Sequence, residues 1–486
     1  MNESKTFTYQ TRIVSNEIQK EVLGACGKLY GSIERHLFED LNKDLPINSL
    51  KSSYLIKYGI TARQFNACRV SVEGKIASAK ACRERHIADL KEKIASLEKK
   101  LPKIKKDLVL HHKTRSLISM KLRLKKLEQA HKEGPVSLCF GGKKLFHAQF
   151  FLEKNNYISF ADWKNDWEKA RSSEFFSLGS KDETAGNQSC VLRVAQDKHF
   201  DLRLRLPNAL AKTYETKYLT FSDITFNYGG DEILQALLAK KALSYRFKSD
   251  EKGWRLFISF SQEKAPLITD RCRGGIGIDV NADHLAFTEI DGKGNPIDKK
   301  TFPLCTYGKT THQTKALIGD VCKEIIALAK EKQKPIVVEK LDFTKKKASL
   351  KEGAHPKQAR MLSSLSYGCI LENLERKAFK EGIGFFTVNP AMTSIIGRLK
   401  FSVRYGLSTH HAAALCIVRR HFKFSEAPSK CPMKVVHKNV KVTCSLPVRN
   451  RKQHVWTFWR DAKRKIKTAL AAHFQGSSGS RYSQSE

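Results

Sequence analysis

Gly275-Ile276-Gly277-Ile278-Asp279-Val280 and Pro335-Ile336-Val337-Val338-Glu339 are two short apolar runs, each carrying a lone carboxylic acid at its end. Runs of this length without alternation read as strands buried on both faces, the kind that build parallel sheets. A carboxylate at the end of such a strand is costly unless a cation or a donor meets it. One such acid is most simply a loop cap; two, ending strands that lie together, indicate a shared cation.

The surrounding segments say how the strands lie. His284–Ile290 and Ile297–Leu304 read as two further strands, with an Asp291-Gly292 turn between them. Gln313–Glu331 has helical period, and a second helix is expected near Gln358–Glu381. Ile383–Val388 reads as a strand stopped by Asn389-Pro390, and a last helix starts near Ser408. The order β-β-β-α-β-α-β-α is that of an RNase H fold, three antiparallel strands followed by crossovers to parallel ones. In that fold the ends bearing Asp279 and Glu339 lie side by side. Paired carboxylates there hold a divalent metal, Mg2+ or Mn2+, for phosphodiester hydrolysis.

A third ligand is expected from the last helix, Ser408-Thr409-His410-His411-Ala412-Ala413-Ala414, which contains no acid. Ser408 or Thr409 can cap it. His410 then falls in the first turn, where the helix dipole disfavours imidazolium and leaves a neutral metal ligand, softer than carboxylate and better suited to manganese than to magnesium. His411 is expected beside it as a helix-start residue.

The 486 residues hold 88 Lys and Arg against 49 Asp and Glu, a formal net charge of +39. Such an excess repels itself unless a polyanion neutralises it, and nucleic acid is the usual partner. A ribosome- or membrane-surface protein is the plainer competitor. The twelve cysteines are scattered, with no C-x-x-C pair, so neither a zinc ribbon nor a disulfide framework is expected. No run of about eighteen apolar residues occurs, and the chain is expected to be soluble and cytoplasmic, with no membrane partner.

Upstream, Thr6–Val14 alternates as a strand and residues 16–132 are helical. Ile87, Leu90, Ile94, Leu97, Leu101, Ile104 and Leu108 form a heptad seam interrupted by Pro102, and Leu117, Met120, Leu124 and Leu127 suggest an antiparallel partner. This is either a solvated hairpin or a lobe that grips phosphate. Gly141-Gly142-Lys143-Lys144 lacks P-loop spacing but places Lys143 and Lys144 for a phosphate. From Cys190 to Gln262 several segments alternate with arginine on the outer face, among them Arg203, Arg205 and Arg246, which suggests a small β-barrel or sheet with a basic face. The tail from Lys430 holds 13 Lys or Arg and two acids. Its aromatics, Trp456 to Trp459, suit either base stacking or docking of a helix that carries Lys463 and Arg464. Gly476–Ser480 reads as disordered.

Gly277-Ile278-Asp279-Val280-Asn281, Val338-Glu339-Lys340-Leu341-Asp342-Phe343 and Asn389-Pro390-Ala391-Met392-Thr393-Ser394 resemble the RuvC motifs of the TnpB family, transposon-encoded RNA-guided nucleases related to type V CRISPR effectors. The likeness is most specific over 272–421 and is to a branch with Ser-x-His-x-Ala-Ala where others carry Asp-x-Asn-Ala-Ala. Phe140–Phe146 and Leu178–Asp182 extend it. The resemblance implies an α+β multidomain chain without a zinc ribbon. Residues 1–15 and 186–270 would form a wedge-type β-barrel, 16–135 a helical recognition lobe, 136–185 a connecting segment, 271–425 a RuvC-like nuclease domain and 426–486 a basic tail. Guide RNA and target DNA would be the partners, the setting a prokaryotic cytosol or nucleoid, and Asp279, Glu339 and His410 the catalytic residues, with Arg398 among the nucleic-acid contacts. The histidine at the third corner leaves open an RNA-guided DNA-binding regulator with weak or no cleavage. A strand-transfer transposase wants a third carboxylate after the last strand, and a relaxase-type one wants a His-apolar-His pair; only adjacent pairs occur, at 111–112 and 410–411.

Overall fold

The computed structural model describes residues 3–43, 45–134, 136–183, 186–196, 198–341, 366–428, 433–437, 440–444 and 447–479. They form a mixed α+β structure of two compact units that part between Glu263 and Lys264, somewhat before the boundary expected at 270.

The first unit begins with β1 (Ser4–Arg12), followed by α1 (Glu17–Asn42), α2 (Ile47–Tyr58), α3 (Ala62–Lys100) and α4 (Asp107–Glu133). Asn16 and Thr61 close capping boxes at the starts of α1 and α3, which fixes where each helix begins. Helices α3 and α4 form an antiparallel hairpin, held by ion pairs Lys91–Glu128 at 2.7 Å and Lys121–Glu98 at 2.7 Å. Its seam is shorter than the heptads predict. Leu90, Ile94, Leu97 and Leu117 are its buried residues, while Leu108 is 76% exposed. Pro102 lies in a 3-10 turn that ends α3, so the chain reverses before Leu108 and the apolar series loses its partner.

After α5 (Lys143–Ala148) and α6 (Phe160–Arg171) come β2 (Glu174–Ser177), β3 (Cys190–Gln196), β4 (His199–Arg205), α7 (Asn208–Thr213), β5 (Tyr218–Ile224), α8 (Gly230–Leu238), β6 (Ser244–Asp250) and β7 (Gly253–Glu263). These strands, in the segments read as a small β-barrel or sheet, hydrogen-bond as two antiparallel sheets, β1-β7-β6-β2 and β3-β4-β5. The arginine-rich alternation is as read. Leu192, Leu202, Leu204, Tyr245, Phe247, Leu256 and Ile258 point into one core with α1 and α3, and the arginines point out.

The second unit holds a five-stranded sheet of β8 (Gly275–Val280), β9 (His284–Ile290), β10 (Pro296–Pro303), β11 (Ile336–Glu339) and β12 (Phe385–Val388), in the order β10-β9-β8-β11-β12. Strands β8, β9 and β10 are antiparallel, and β8, β11 and β12 parallel, which is the arrangement the element order predicts. Helices α9 (Thr311–Glu331) and α10 (Tyr367–Lys380) cover one face, packing on Ile276, Ile278, Ile336 and Val338. The other face meets α11 (Thr393–Ile396), the π-helical turn Gly397–Ser402, α12 (Thr409–His421) and α13 (Val455–Gly479). The expected first turns of α10, and Asp342-Phe343, lie outside the described residues.

The tail holds a hairpin, β13 (Met433–His437) and β14 (Val440–Cys444), ahead of α13. Its aromatics dock α13, Trp456 being only partly buried. Trp459 is fully buried, Phe458 is 6% exposed, and the indole N–H groups of Trp456 and Trp459 donate to Glu426 at 2.7 and 2.9 Å. Of the two readings, helix docking holds for Phe458 and Trp459, whose buried rings have no face left for a base. α13 also runs through the glycine–serine stretch to Gly479, since its docked first turns have already met the cost of nucleation. Among the described residues no helix is long and apolar enough to cross a membrane.

Candidate active site

In β8, Gly277 and Asp279 alternate with Ile276 and Ile278; in β11, Val337 and Glu339 alternate with Ile336 and Val338. The isoleucines and Val338 belong to the core under α9 and α10, so both acids emerge on the opposite face, toward α12. Val338 pairs with Ile278 across the parallel ladder, and each acid is the next residue along its strand. Asp279 and Glu339 are each only 8% exposed.

Each carboxylate has its own partners. Asp279 Oδ2 accepts from Asn281 Nδ2 at 3.0 Å and lies 3.2 Å from His410 Nδ1. Thr393, buried at the start of α11, donates its hydroxyl to Glu339 Oε1. The Tyr367 hydroxyl donates to the Glu339 carbonyl and accepts from Leu341 N at 3.2 Å. Burial pushes the Tyr367 phenol up to about 12, and the nearby negative charges of Glu339 and Asp279 push the same way.

Ser408 caps α12, its Oγ accepting from His411 N at 3.2 Å. That turn brings His410 over Asp279, with the ring of His284 edge-on at 4.9 Å. The hydrogen bond to Asp279 raises the His410 pKa, aided by the charges of Asp279 and Asp283 and opposed by burial. This direction is the reverse of what the helix dipole alone predicts: a carboxylate at contact outweighs a partial charge at a helix end. His411 points elsewhere, with Nε2 donating to the Lys300 carbonyl at 3.0 Å and Nδ1 facing Ser408 Oγ at 2.8 Å. Ser408→Ala is expected to cost about 1 kcal/mol of the second unit's stability, readable by urea denaturation of the full chain.

The donor set can be tested against a divalent cation. Two buried carboxylates at adjacent strand ends fit a hard cation that keeps part of its water. His410, in contact with Asp279, does not stand as a free ligand, and among the described residues no group of three or more His, Cys, Asp or Glu is placed to hold a metal. The site thus fits a two-carboxylate cation site with an imidazole at its rim.

The predicted nucleic-acid contacts are spread out. Lys143 and Lys144 are exposed at the start of α5, Arg203 and Arg205 lie on the outer face of β4, and Arg246 is exposed on β6. Arg203 stacks over Tyr218 at 4.8 Å. In the second unit Arg398 is half-buried in the π-helical turn, its pKa lowered by burial, while Lys463 and Arg464 are exposed on α13. Asn281, Thr393, His284 and Tyr367 complete the surroundings of the acids without having been singled out. Asn281 and Thr393 sit inside the quoted motifs; His284 and Tyr367 carry no sequence signal of their own.

No protein-family model matches the chain, and neither does any curated protein. Among solved structures it is similar to T. thermophilus RuvC in complex with Holliday junction substrate, at 15% identity over 30% of this chain and 90% of that one, with a TM-score of 0.22. It is similar to Cas12f1 in a complex with sgRNA and target DNA, at 11% identity over 86% of this chain and 99% of that one, with a TM-score of 0.36. It is also similar to Cas12i1 in an R-loop complex after target DNA cleavage, at 8% identity over 78% of this chain and 57% of that one, with a TM-score of 0.27.

Proposed function

We propose that this chain is an RNA-guided DNA endonuclease of the TnpB kind, hydrolysing phosphodiesters with Asp279 and Glu339 as metal ligands and His410 at the third corner. The observation that carries this reading is the convergence of two buried strand-end carboxylates and one imidazole on a single face of the sheet, in a chain of net charge +39. Mg2+ or Mn2+ bound there would polarise the phosphate and lower the pKa of a water. The chain's own groups do the rest. Asn281 and Thr393 hold the carboxylates in place, and the His410 imidazole shields the Asp279 charge until a cation takes over that task. The first unit, with its basic sheet faces and long helical hairpin, supplies surface for guide RNA and its heteroduplex with DNA, gripped through shape and backbone.

The protein purified from its own locus is expected to carry RNA. Nucleic-acid-free protein that binds duplex DNA equally well without RNA would remove the guided reading.

The contact between His410 and Asp279 favours a second reading, a guided DNA-binding regulator with weak or no cleavage. His410→Asp tests the third corner, and the cutting rate of the unaltered protein separates the two readings. Under the nuclease reading the added carboxylate raises magnesium-supported cutting of a guide-matched duplex, roughly ten-fold or more, the scale of restoring one ligand interaction. An unchanged rate would show that His410 plays no part at the third corner.

A further inference from the structure

The first unit contains a cleft of about 820 Å³ between the β2–β6 edge of the four-stranded sheet, helix α3 and the 138–141 segment. Strand β2 splits its two rings: Phe175 is buried in the core, and Phe176 faces out into the cleft. Across the sheet, residues Gln10, Phe257, Arg246 and Phe176 lie opposite one another in a single row, and Arg12, Arg255, Lys248 and Glu174 form the next. Two half-exposed phenyl rings therefore flank an exposed arginine on a face whose other positions are polar. Phe140 forms the opposite wall, with Lys75 Nζ 5.4 Å from its ring centre.

The charges in the cleft are lopsided. Its acids are Glu34, ion-paired with Lys75, and Glu174, 3.8 Å from the same lysine. Arg171, Arg246 and Lys248 also line it, and none has an acid partner among the described residues. Partly exposed rings in one cleft with unpaired cations offer π-faces beside positive charge, which suits an unpaired, unstacked strand. A duplex keeps its bases stacked inside and could use only the cations. An acidic peptide could likewise use only the cations and would leave the rings bare.

From this we infer that the cleft is a single-strand binding site, in which unpaired RNA bases stack on Phe176 and Phe140 while Arg246, Lys248 and Arg171 hold the adjoining phosphates. The inference deepens the RNA-guided reading and rests on it. It names an unpaired segment of the bound RNA as the ligand and places that segment apart from the acids.

The test uses the full chain produced in cells fed 4-thiouridine, irradiated, purified with its RNA and mapped by mass spectrometry for RNA adducts. Adducts on the peptides bearing Phe140 or Phe176 are expected; adducts confined to other surfaces overturn the proposal. In parallel, Phe176→Leu and Phe140→Leu are expected to weaken binding of a single-stranded RNA of about ten nucleotides roughly ten-fold, with little change for the duplex of the same sequence. Equal loss for both probes overturns it, as does competition by polyglutamate that the leucine variants do not alter. Arg246→Ala, at an exposed position that folding does not need, is expected to weaken the single strand and to reduce the slope of log affinity against log salt by about 0.7. An unchanged slope counts against the site even if a leucine variant misfolds. RNA recovered with adducts only elsewhere would remove the cleft and leave the guided nuclease standing. Absence of RNA would remove the guided reading, and the oligonucleotide affinities would still decide the cleft.

Discussion

Asp279→Ala is expected to lower metal-dependent cleavage of a guide-matched DNA duplex by about a thousandfold or more while RNA remains bound. A metal at a phosphoryl centre contributes several kcal/mol to the transition state, and about 4 kcal/mol is three decades of rate. Asp279 is one of two buried carboxylates at the strand ends, so its loss leaves Glu339 alone to hold a divalent ion. The fold should tolerate the change. His410, the partner left behind, has a side chain 47% exposed and can turn to water. The assay is single-turnover cleavage in Mg2+ and again in Mn2+, with RNA content and thermal unfolding measured on the same preparation. Cleavage within threefold of the unaltered protein, with RNA content preserved, would put the chemistry elsewhere.

Gly277→Ala is the second large effect, and it acts through packing. A methyl group at Gly277 would overlap the Ala414 carbonyl oxygen and come within 3.0 Å of Val418 Cβ. The obstacle is helix backbone, which cannot swing aside like a side-chain tip. Strand β8 is central in its sheet, hydrogen-bonded to β9 and β11, and cannot retreat either. Overpacking of a tight core commonly costs about 1–3 kcal/mol, and a clash between two fixed backbones belongs at or above the top of that range. The relief available is a shift of α12, which carries His410 away from Asp279, so activity should fall with stability. Gly319→Ala is the matched control. It lies within α9 with nothing inside 4 Å of the added methyl, and should stabilise by about 0.5–1 kcal/mol through helix propensity. Chemical denaturation of both variants reads the contrast. Equal stability for the two would show that the β8–α12 contact is looser than drawn.

The five-stranded sheet was legible because its signal is local. Apolar run length, alternation and turn residues mark β8 to β12 one by one, and crossover rules order them. The acids were legible for the same reason, as polar residues at the ends of runs that otherwise exclude them. What was missed depends on contacts between distant segments. Leu108 fits the heptad period, yet whether it is covered depends on where Pro102 turns the chain. Whether strands share one sheet or divide into two depends on which edges pair, and alternation is the same in either case. The direction of the His410 pKa shift depends on a neighbour 131 positions away. Thr393 and Asn281 act by donating one hydrogen each, and no periodicity marks such a donor.

The α3–α4 hairpin is joined to itself by rungs: a buried leucine or isoleucine, then an ion pair, then another apolar contact. Among the described residues, its outer part shares none with the first unit's main core. Whole heptads could be added or removed near Leu101–Lys106 without disturbing the sheets of the first unit. The length of this arm is therefore a quantity that evolution can alter in steps of seven residues per helix, independently of the core that folds the first unit.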